Sequence, residues 1–98
     1  MFLFSIKAVP DLENHDPSRF EDIEGAYVNI WINFPEQEAA EVLARFYINK
    51  EGWLDQETDE KPVWLDDVDP KDENYPFYQE ALEYGSAMLF NTILKDDE

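Results

Sequence analysis

Residues 26–34 read Ala-Tyr-Val-Asn-Ile-Trp-Ile-Asn-Phe, and this stretch decides the fold. Aliphatic residues recur at every second position along it, which is the period of a β-strand with one buried side. The alternation predicts a strand whose inner side carries Ala26, Val28, Ile30, Ile32 and Phe34. The other side of this strand carries Tyr27, Asn29, Trp31 and Asn33. Such a strand requires another layer packed on its inner side.

The segments on either side of this strand predict a second strand and a helix. Residues 1–9 alternate in the same way and are predicted to form the first strand, whereas residues 11–24 mix Pro, Asn, Asp and Ser and indicate a long loop. Pro35 suits a first helical position, and the helix is predicted to run to about Lys50, where Gly52 ends it in a left-handed conformation. The predicted core-facing stripe of this helix consists of Ala39, Val42, Leu43, Phe46 and Tyr47.

The second half of the chain is predicted to hold two short strands and one helix. Residues 53–57 and 61–65 are predicted to form the strands, with a hairpin through residues 58–60. Apolar residues recur at helical spacing over residues 75–94 and predict the second helix. Gly85 lies in the middle of that helix, where we interpret it as a small residue that permits close helix packing.

The predicted order of elements is strand, strand, helix, strand, strand, helix, in one α+β domain over residues 1–94. Residues 95–98 are predicted to be a frayed acidic tail. We predict a two-layer sandwich in which two helices cover one face of a four-stranded antiparallel sheet. This topology resembles a circular permutation of the ferredoxin-like sandwich. A shared topology brings no function with it.

The chain is strongly acidic, with 24 Asp and Glu, 7 Lys and Arg, and a net charge of −17 over 98 residues. Its 44% hydrophobic and 15% aromatic residues separate it from disordered acidic tails. A negative field of this size repels nucleic acid and anionic membranes, so a basic protein partner is expected and neither of those two. The opening residues have no basic leader and too short an apolar run for a bilayer, so a cytoplasmic protein is expected.

No specific catalytic or cofactor motif is found in the sequence, and no cofactor or metal is predicted. Cysteine is absent, which removes disulfides, thiolate catalysis and Cys-ligated metals. Three scattered glycines make no phosphate-binding loop. The acidic segment 66–74 lacks the turn glycine that an EF-hand requires. His15 is the single histidine, and its position beside Asp16 and Ser18 in one loop is poor support for a catalytic triad.

The acids are concentrated in loops rather than spread along the predicted helices. Residues 11–24 sum to −5, residues 55–73 to −7 and residues 95–98 to −2. Such loops suit a basic partner, while the alternative is solubility, since net charge keeps a small domain in solution. The predicted partner-binding residues are Asp55, Glu57, Asp59, Glu60, Asp66, Asp67, Asp69, Asp72 and Glu73.

The sequence leaves three functions open. The leading hypothesis is a small acidic binding protein of the inhibitor or immunity type, which occludes a basic site on a nuclease, toxin or similar partner. The second is a non-catalytic regulatory domain that forms a weak homodimer through an open sheet face at Leu3, Tyr27 and Trp31. The third is a small enzyme that uses two carboxylates, although nothing in the sequence selects a pair.

Overall fold

The computed structural model describes residues 1–14 and 17–95, except the side chains of Pro17, Arg19 and Asp59. This part of the chain forms one α+β domain. Its strands are β1 (Phe2–Pro10), β2 (Ile23–Ile32), β3 (Trp53–Trp64) and β4 (Ser86–Leu94). Its helices are α1 (Gln37–Lys50) and α2 (Tyr75–Tyr84), with a 3₁₀ helix at Pro17–Phe20.

The strands pair antiparallel in one sheet with the order β3-β1-β2-β4. β1 and β2 form its centre and pair without a register shift from Phe2 opposite Ile32 to Ala8 opposite Ala26. In the described part of the chain, β3 and β4 are therefore the two edges of the sheet. The two edges differ in charge and regularity, and the candidate binding surfaces depend on that difference.

The alternation along β2 is confirmed, and its inner side packs against α1. The buried residues of β1 and β2 on this side are Phe2, Phe4, Ile6, Ala8, Ala26, Val28, Ile30 and Ile32. From α1 come Ala40, Ala44 and Ile48, which are spaced four residues apart and so lie along one line of the helix. The predicted end of α1 at Lys50 and the left-handed Gly52, with φ 97°, are also confirmed.

The predicted apolar stripe of α1 is confirmed at Leu43 and Tyr47, which pack against the core cluster, and is wrong at Val42 and Phe46. Val42 is 68% exposed and Phe46 is 58% exposed, although both were expected in the core. The sheet instead contacts the line of Ala40, Ala44 and Ile48, because small side chains allow the helix backbone to approach the strands closely. Phe34 was also expected on the buried side of β2, but it lies beyond the end of the strand and is 38% exposed.

Small residues in the central strands allow aromatic rings from the two sheet edges to meet. The rings of Trp53 in β3 and Phe90 in β4 lie 5.5 Å apart, measured between centroids. Ala8 and Ala26 are paired on the same side of the sheet between them. Flat strands would hold the two edges about 14 Å apart, so the sheet curls around its α1 side. Phe20 closes this end of the core with an edge-on contact to Trp53.

α2 packs on the opposite face of the sheet from α1, so the prediction of two helices on one face is wrong. Trp31 points away from Ile30 and Ile32 along β2, is only 2% exposed, and stacks on Phe77 of α2. The two ring centroids lie 4.9 Å apart with an angle of 8° between the planes. The other residues of this second cluster are Met1, Leu3, Leu65, Tyr78, Ala81, Ala87 and Leu89.

Two elements of the second half also differ from the prediction. Residues 53–64 form one continuous strand instead of a hairpin, and residues 58–60 offer no glycine or asparagine for a tight turn. α2 ends at Tyr84 because Gly85 adopts a φ of 96° and its N–H donates to the carbonyl of Ala81. Residues 86–94 then form β4 rather than more helix. The ferredoxin-like permutation is therefore not confirmed, and residues 96–98 of the predicted tail lie outside the described part.

Candidate partner-binding surface

β3 is an edge strand with an irregular backbone. Its register with β1 shifts three times between Val63 and Asp55, so twelve residues of β3 lie along nine residues of β1. Extra residues of this kind bulge out of the ladder and increase the local twist. β3 contains charged side chains, Pro62 and bulges. Each of these features hinders the pairing of another strand with a sheet edge. A partner at this edge must therefore recognise side chains rather than the backbone.

Arg45 of α1 fixes the first half of β3. Its Nη1 donates to Asp55 Oδ2 at 2.7 Å and to the carbonyl oxygen of Gln56 at 2.6 Å. Its Nε donates to Glu41 Oε2 at 3.2 Å. Asn49 of the same helix donates to Asp55 Oδ1 at 2.8 Å. Both oxygens of the Asp55 carboxylate are thus engaged by α1, which gives this residue a structural role.

These contacts shift the pKa of both partners. Partial burial by itself raises the pKa of Asp55, but hydrogen bonds from Arg45 and Asn49 outweigh it and hold that pKa below its ordinary value. Burial alone lowers the pKa of Arg45, and hydrogen bonds to Asp55 and Glu41 raise it above its ordinary value. Because the Asp55 pKa is lower in the folded state, the ionised carboxylate stabilises the fold above its unfolded-state pKa. That stabilisation disappears as the pH falls through the folded-state pKa.

We expect Asp55→Asn to lower the free energy of unfolding at pH 7 by about 1–2 kcal/mol, because Arg45 loses its charged acceptor. The difference from the wild type should shrink as the pH falls below about 4, where the wild-type carboxyl becomes protonated as well. Urea unfolding at pH 7 and at several lower pH values measures both effects. Glu57→Gln, at an exposed acid of the same strand, is the matched control. If the difference in free energy of unfolding between wild type and Asp55→Asn stayed constant across this pH range, the assigned role of the Asp55 charge would be contradicted.

Carboxylates of the segment 65–74 order its own backbone. Asp69 Oδ1 accepts the N–H of Lys71 at 2.9 Å, and Asp72 Oδ1 accepts the N–H of Asn74 at 2.8 Å. In both cases an aspartate side chain fixes the backbone two residues further on, as in an Asx turn. Asp69 and Asp72 are therefore exposed to solvent but held in defined positions.

We call the exposed acids of β3 and of segment 65–74 the acidic band. Of the nine predicted partner-binding acids, Asp55 is engaged by α1, and the side chain of Asp59 is outside the described part. The remaining seven are all exposed and make up the band: Glu57, Glu60, Asp66, Asp67, Asp69, Asp72 and Glu73. The structure therefore brings most of the predicted residues to one edge of the sheet and the loop that follows it.

Trp64 lies inside the acidic band, and the sequence did not identify it as a site residue. Its indole ring is 47% exposed and makes an edge-on contact with Phe2, with the ring centroids 4.8 Å apart. The indole N–H donates to the carboxylate of Asp66. Val63 and Leu54 on the same strand are also 47% and 44% exposed. A tryptophan two residues before an acidic run was the available sequence signal.

The acidic segment 11–24 and the loop 65–74 lie at opposite ends of the sheet, whereas Asp55, at the start of the acidic segment 55–73, pairs with Ala8 near the end of β1. Segment 11–24 follows the end of β1, whereas segment 65–74 follows Trp64, which pairs with Phe2 at the start of β1. A nine-residue strand such as β1 separates these ends by about 30 Å. One small basic site cannot contact both segments, so the acidic band is the better candidate. His15 and Asp16 lie outside the described part.

The predicted dimer face is not an open surface at Trp31. α2 covers this residue, and Leu3 is partly buried in the same cluster. Of the three predicted residues, Tyr27 is the most exposed, with 37% of its surface accessible to solvent. The expectation of an exposed Trp31 is wrong because it placed both helices on the other face.

A groove of about 260 Å³ lies on the same sheet face as α2. Its lining residues are Leu3, Ser5, Asn29, Trp31, Glu60, Lys61, Val63 and Asn74. The lining contains a single carboxylate, from Glu60. In residues 1–14 and 17–95, no three histidine or acidic side chains come together in a way that would hold a metal ion.

Comparison with known proteins assigns no family or function. No protein-family model matches the chain, and no curated protein and no solved structure is significantly similar to it. None of the described helices has the length and apolar character needed to cross a membrane. The function is therefore argued from the surfaces of the molecule.

Proposed function

We propose that this protein is a small acidic binding protein of the inhibitor or immunity type, which uses the acidic band to occlude a basic site on a protein partner. The observation that supports this best is Trp64, a half-exposed aromatic ring that Asp66 holds in place among exposed carboxylates. Tryptophan is enriched among the few residues that carry most of the energy at protein interfaces. Solubility explains the charges, but it does not explain an ordered, exposed tryptophan among them.

The two components of this surface act at different steps of binding. Exposed carboxylates attract a basic partner over distance and raise the association rate. The Trp64 ring supplies apolar area that is desolvated only in the final complex. The Asx turns of Asp69 and Asp72 fix the loop before binding, which reduces the entropy lost on association.

The chemistry of the band also defines the class of partner. A protein site that handles phosphates carries lysine and arginine, and the carboxylates of the band complement such a site. We infer that the partner is a basic protein whose active or nucleic-acid-binding site is covered by the band. The field that favours such a protein repels the nucleic acid itself.

Charge reversal at Asp66, Asp67 and Asp69 tests this proposal. We expect the triple lysine variant to lose a partner that the tagged wild type captures from its source cell at about 150 mM salt, because the attractive field is removed and Asp66 and Asp69 no longer hold the Trp64 indole and the loop backbone in place. The matched control reverses Glu21, Asp22 and Glu24, which changes the net charge equally at the other end of the sheet. The control variant should retain the partner. If both triple variants lose it to the same extent, net charge rather than the acidic band explains the binding, and the proposal is wrong.

A further inference from the structure

β4 forms the second edge of the sheet and is built differently from β3. Residues 86–94 read Ser-Ala-Met-Leu-Phe-Asn-Thr-Ile-Leu and contain no charged residue, proline or glycine. Their register with β2 is regular from Ser86 to Ile93 and shifts only at the final pair. Edge strands of monomeric proteins are usually blunted by charges, prolines or bulges. β4 lacks these features over most of its length.

The outer backbone groups of β4 are open to a further strand. No described strand lies beyond β4 in the sheet. Among the described residues, no loop, turn or cap forms a backbone hydrogen bond to residues 86–94. An edge of this kind presents a row of N–H and C=O groups that another strand can pair with.

An apolar flank of α1 lies on the same side of the molecule as this edge. Leu43 and Tyr47 pack against the buried cluster that Phe90 of β4 also joins, and Phe46 continues the flank into solvent with 58% of its surface exposed. The opposite flank of α1 is charged and reaches β3 through Arg45. The exposed apolar surface of α1 is therefore turned toward the β4 half of the sheet.

We propose that β4 pairs antiparallel with β4 of a second copy of this chain, about a two-fold axis that passes through Phe90. In this pairing Met88 lies opposite Thr92 of the second copy, and Leu89 lies opposite Asn91. Every cross-strand pair is uncharged. The register keeps Met88, Phe90 and Thr92 on the α1 side of the sheet in both copies. The result is one continuous sheet of eight strands.

The distribution of charge favours a second copy at this edge despite the net charge of −17 on each chain. The acidic band lies along β3, which is the opposite edge of the sheet. Pairing through β4 puts the two β3 strands at the outer edges of the combined sheet, at most about 34 Å apart at ordinary strand spacing and less where the sheet curls. That distance is several times the screening length of about 8 Å at physiological ionic strength. The repulsion between the two bands is therefore weak in this arrangement.

The flank of α1 favours a second copy over an extended peptide. A single added strand satisfies the backbone groups of β4 but places nothing beside the flank of Leu43, Tyr47 and Phe46, because these residues lie in the helix layer. A two-fold axis perpendicular to the sheet keeps α1 on the same face in both copies. The two apolar flanks then face each other across the new strand pair. This inference does not depend on the proposed function, since the acidic bands remain exposed in the dimer.

Thr92→Glu and Thr58→Glu form a matched pair of variants that tests the proposal. Both threonines are exposed on an edge strand, Thr92 on β4 and Thr58 on β3, and both changes add one negative charge. Sedimentation across a wide range of protein concentration should give a wild-type dimer of twice 11.6 kDa. We expect Thr92→Glu to raise the dissociation constant at least about tenfold and Thr58→Glu to leave it nearly unchanged. If circular dichroism shows that the Thr92→Glu variant does not fold, Asn91→Lys serves as the test variant on β4 instead.

NMR on a mixture of labelled and unlabelled chains checks the register independently. We expect contacts between Met88 of one copy and Thr92 of the other. A wild type that sediments as a monomer at every concentration would overturn the proposal, as would equal effects of the two glutamate variants or a dimer whose contacts lie elsewhere. A monomer that binds a synthetic peptide of residues 86–94 would assign the edge to an extended segment of another protein, which also overturns it.

Discussion

Trp31→Ala is expected to lower the free energy of unfolding by about 3–5 kcal/mol, which is the loss typical of a buried tryptophan. Trp31 is only 2% exposed and stacks directly on Phe77. Its removal opens a cavity between β2 and α2 and takes away the ring stack that joins Phe77 of α2 to β2. Denaturant unfolding measures the loss, and the melting temperature should fall by roughly 15 °C or more.

Trp64→Ala is the control for this prediction. The same atoms are removed, but Trp64 is 47% exposed and packs on one side only, against Phe2. We therefore expect a loss of about 1–2 kcal/mol. Equal losses in the two variants would contradict the position of α2 on the face opposite α1, because that position alone explains the burial of Trp31.

Ile48→Ala is expected to cost about 2–4 kcal/mol of folding free energy, because Ile48 is fully buried between α1 and the sheet. Ala40 and Ala44 on the same line of the helix are too small to fill the space that it leaves. Urea unfolding monitored by circular dichroism gives the difference.

Phe46→Ala provides the comparison within the same helix. Phe46 is a larger residue and belongs to the apolar stripe that the sequence predicted for the core, but it is 58% exposed. We expect its replacement to cost less than about 1 kcal/mol. If Phe46→Ala destabilised the fold more than Ile48→Ala, the buried face of α1 would be the predicted stripe after all.

The sequence predicted correctly those elements in which the spacing of apolar residues fits only one type of secondary structure. β2 was recognised because aliphatic residues recur at alternate positions from Ala26 to Ile32. The face of α1 was predicted only in part: Leu43 and Tyr47 do pack on the core, but the bulky residues Val42 and Phe46 were chosen over Ala40 and Ala44. The tertiary structure shows that α1 lies close to the sheet, and at this short distance the small side chains of Ala40 and Ala44 fit against the strands.

The second half was harder because local patterns there fit two structures. Apolar residues over 86–94 fit a helical spacing and also a strand, and the choice depends on Gly85, whose left-handed conformation ends α2. The face covered by α2 is a tertiary property that no local pattern carries. The sequence therefore placed Trp31 on an open surface.

The candidate site was predictable in its charges but not in its geometry. The acids of residues 55–73 are visible in the sequence, but their division into roles is not. The helix residues Arg45 and Asn49 engage Asp55, whereas Asp66 holds the indole of Trp64. The distance between the acidic segments 11–24 and 65–74 also depends on the sheet topology.

The central claim is that the acidic band is the binding surface, and the kinetics of association with the captured partner test it most directly. We predict that the wild-type association rate falls steeply as salt rises, and that lysines at Asp66, Asp67 and Asp69 slow association at least about tenfold at low salt. Trp64→Ala should instead raise the dissociation rate about tenfold or more and change association little. Reversal of Glu21, Asp22 and Glu24 should leave both rates close to those of the wild type. Equal slowing of association by the two triple variants, with no effect of Trp64→Ala on dissociation, would contradict the account.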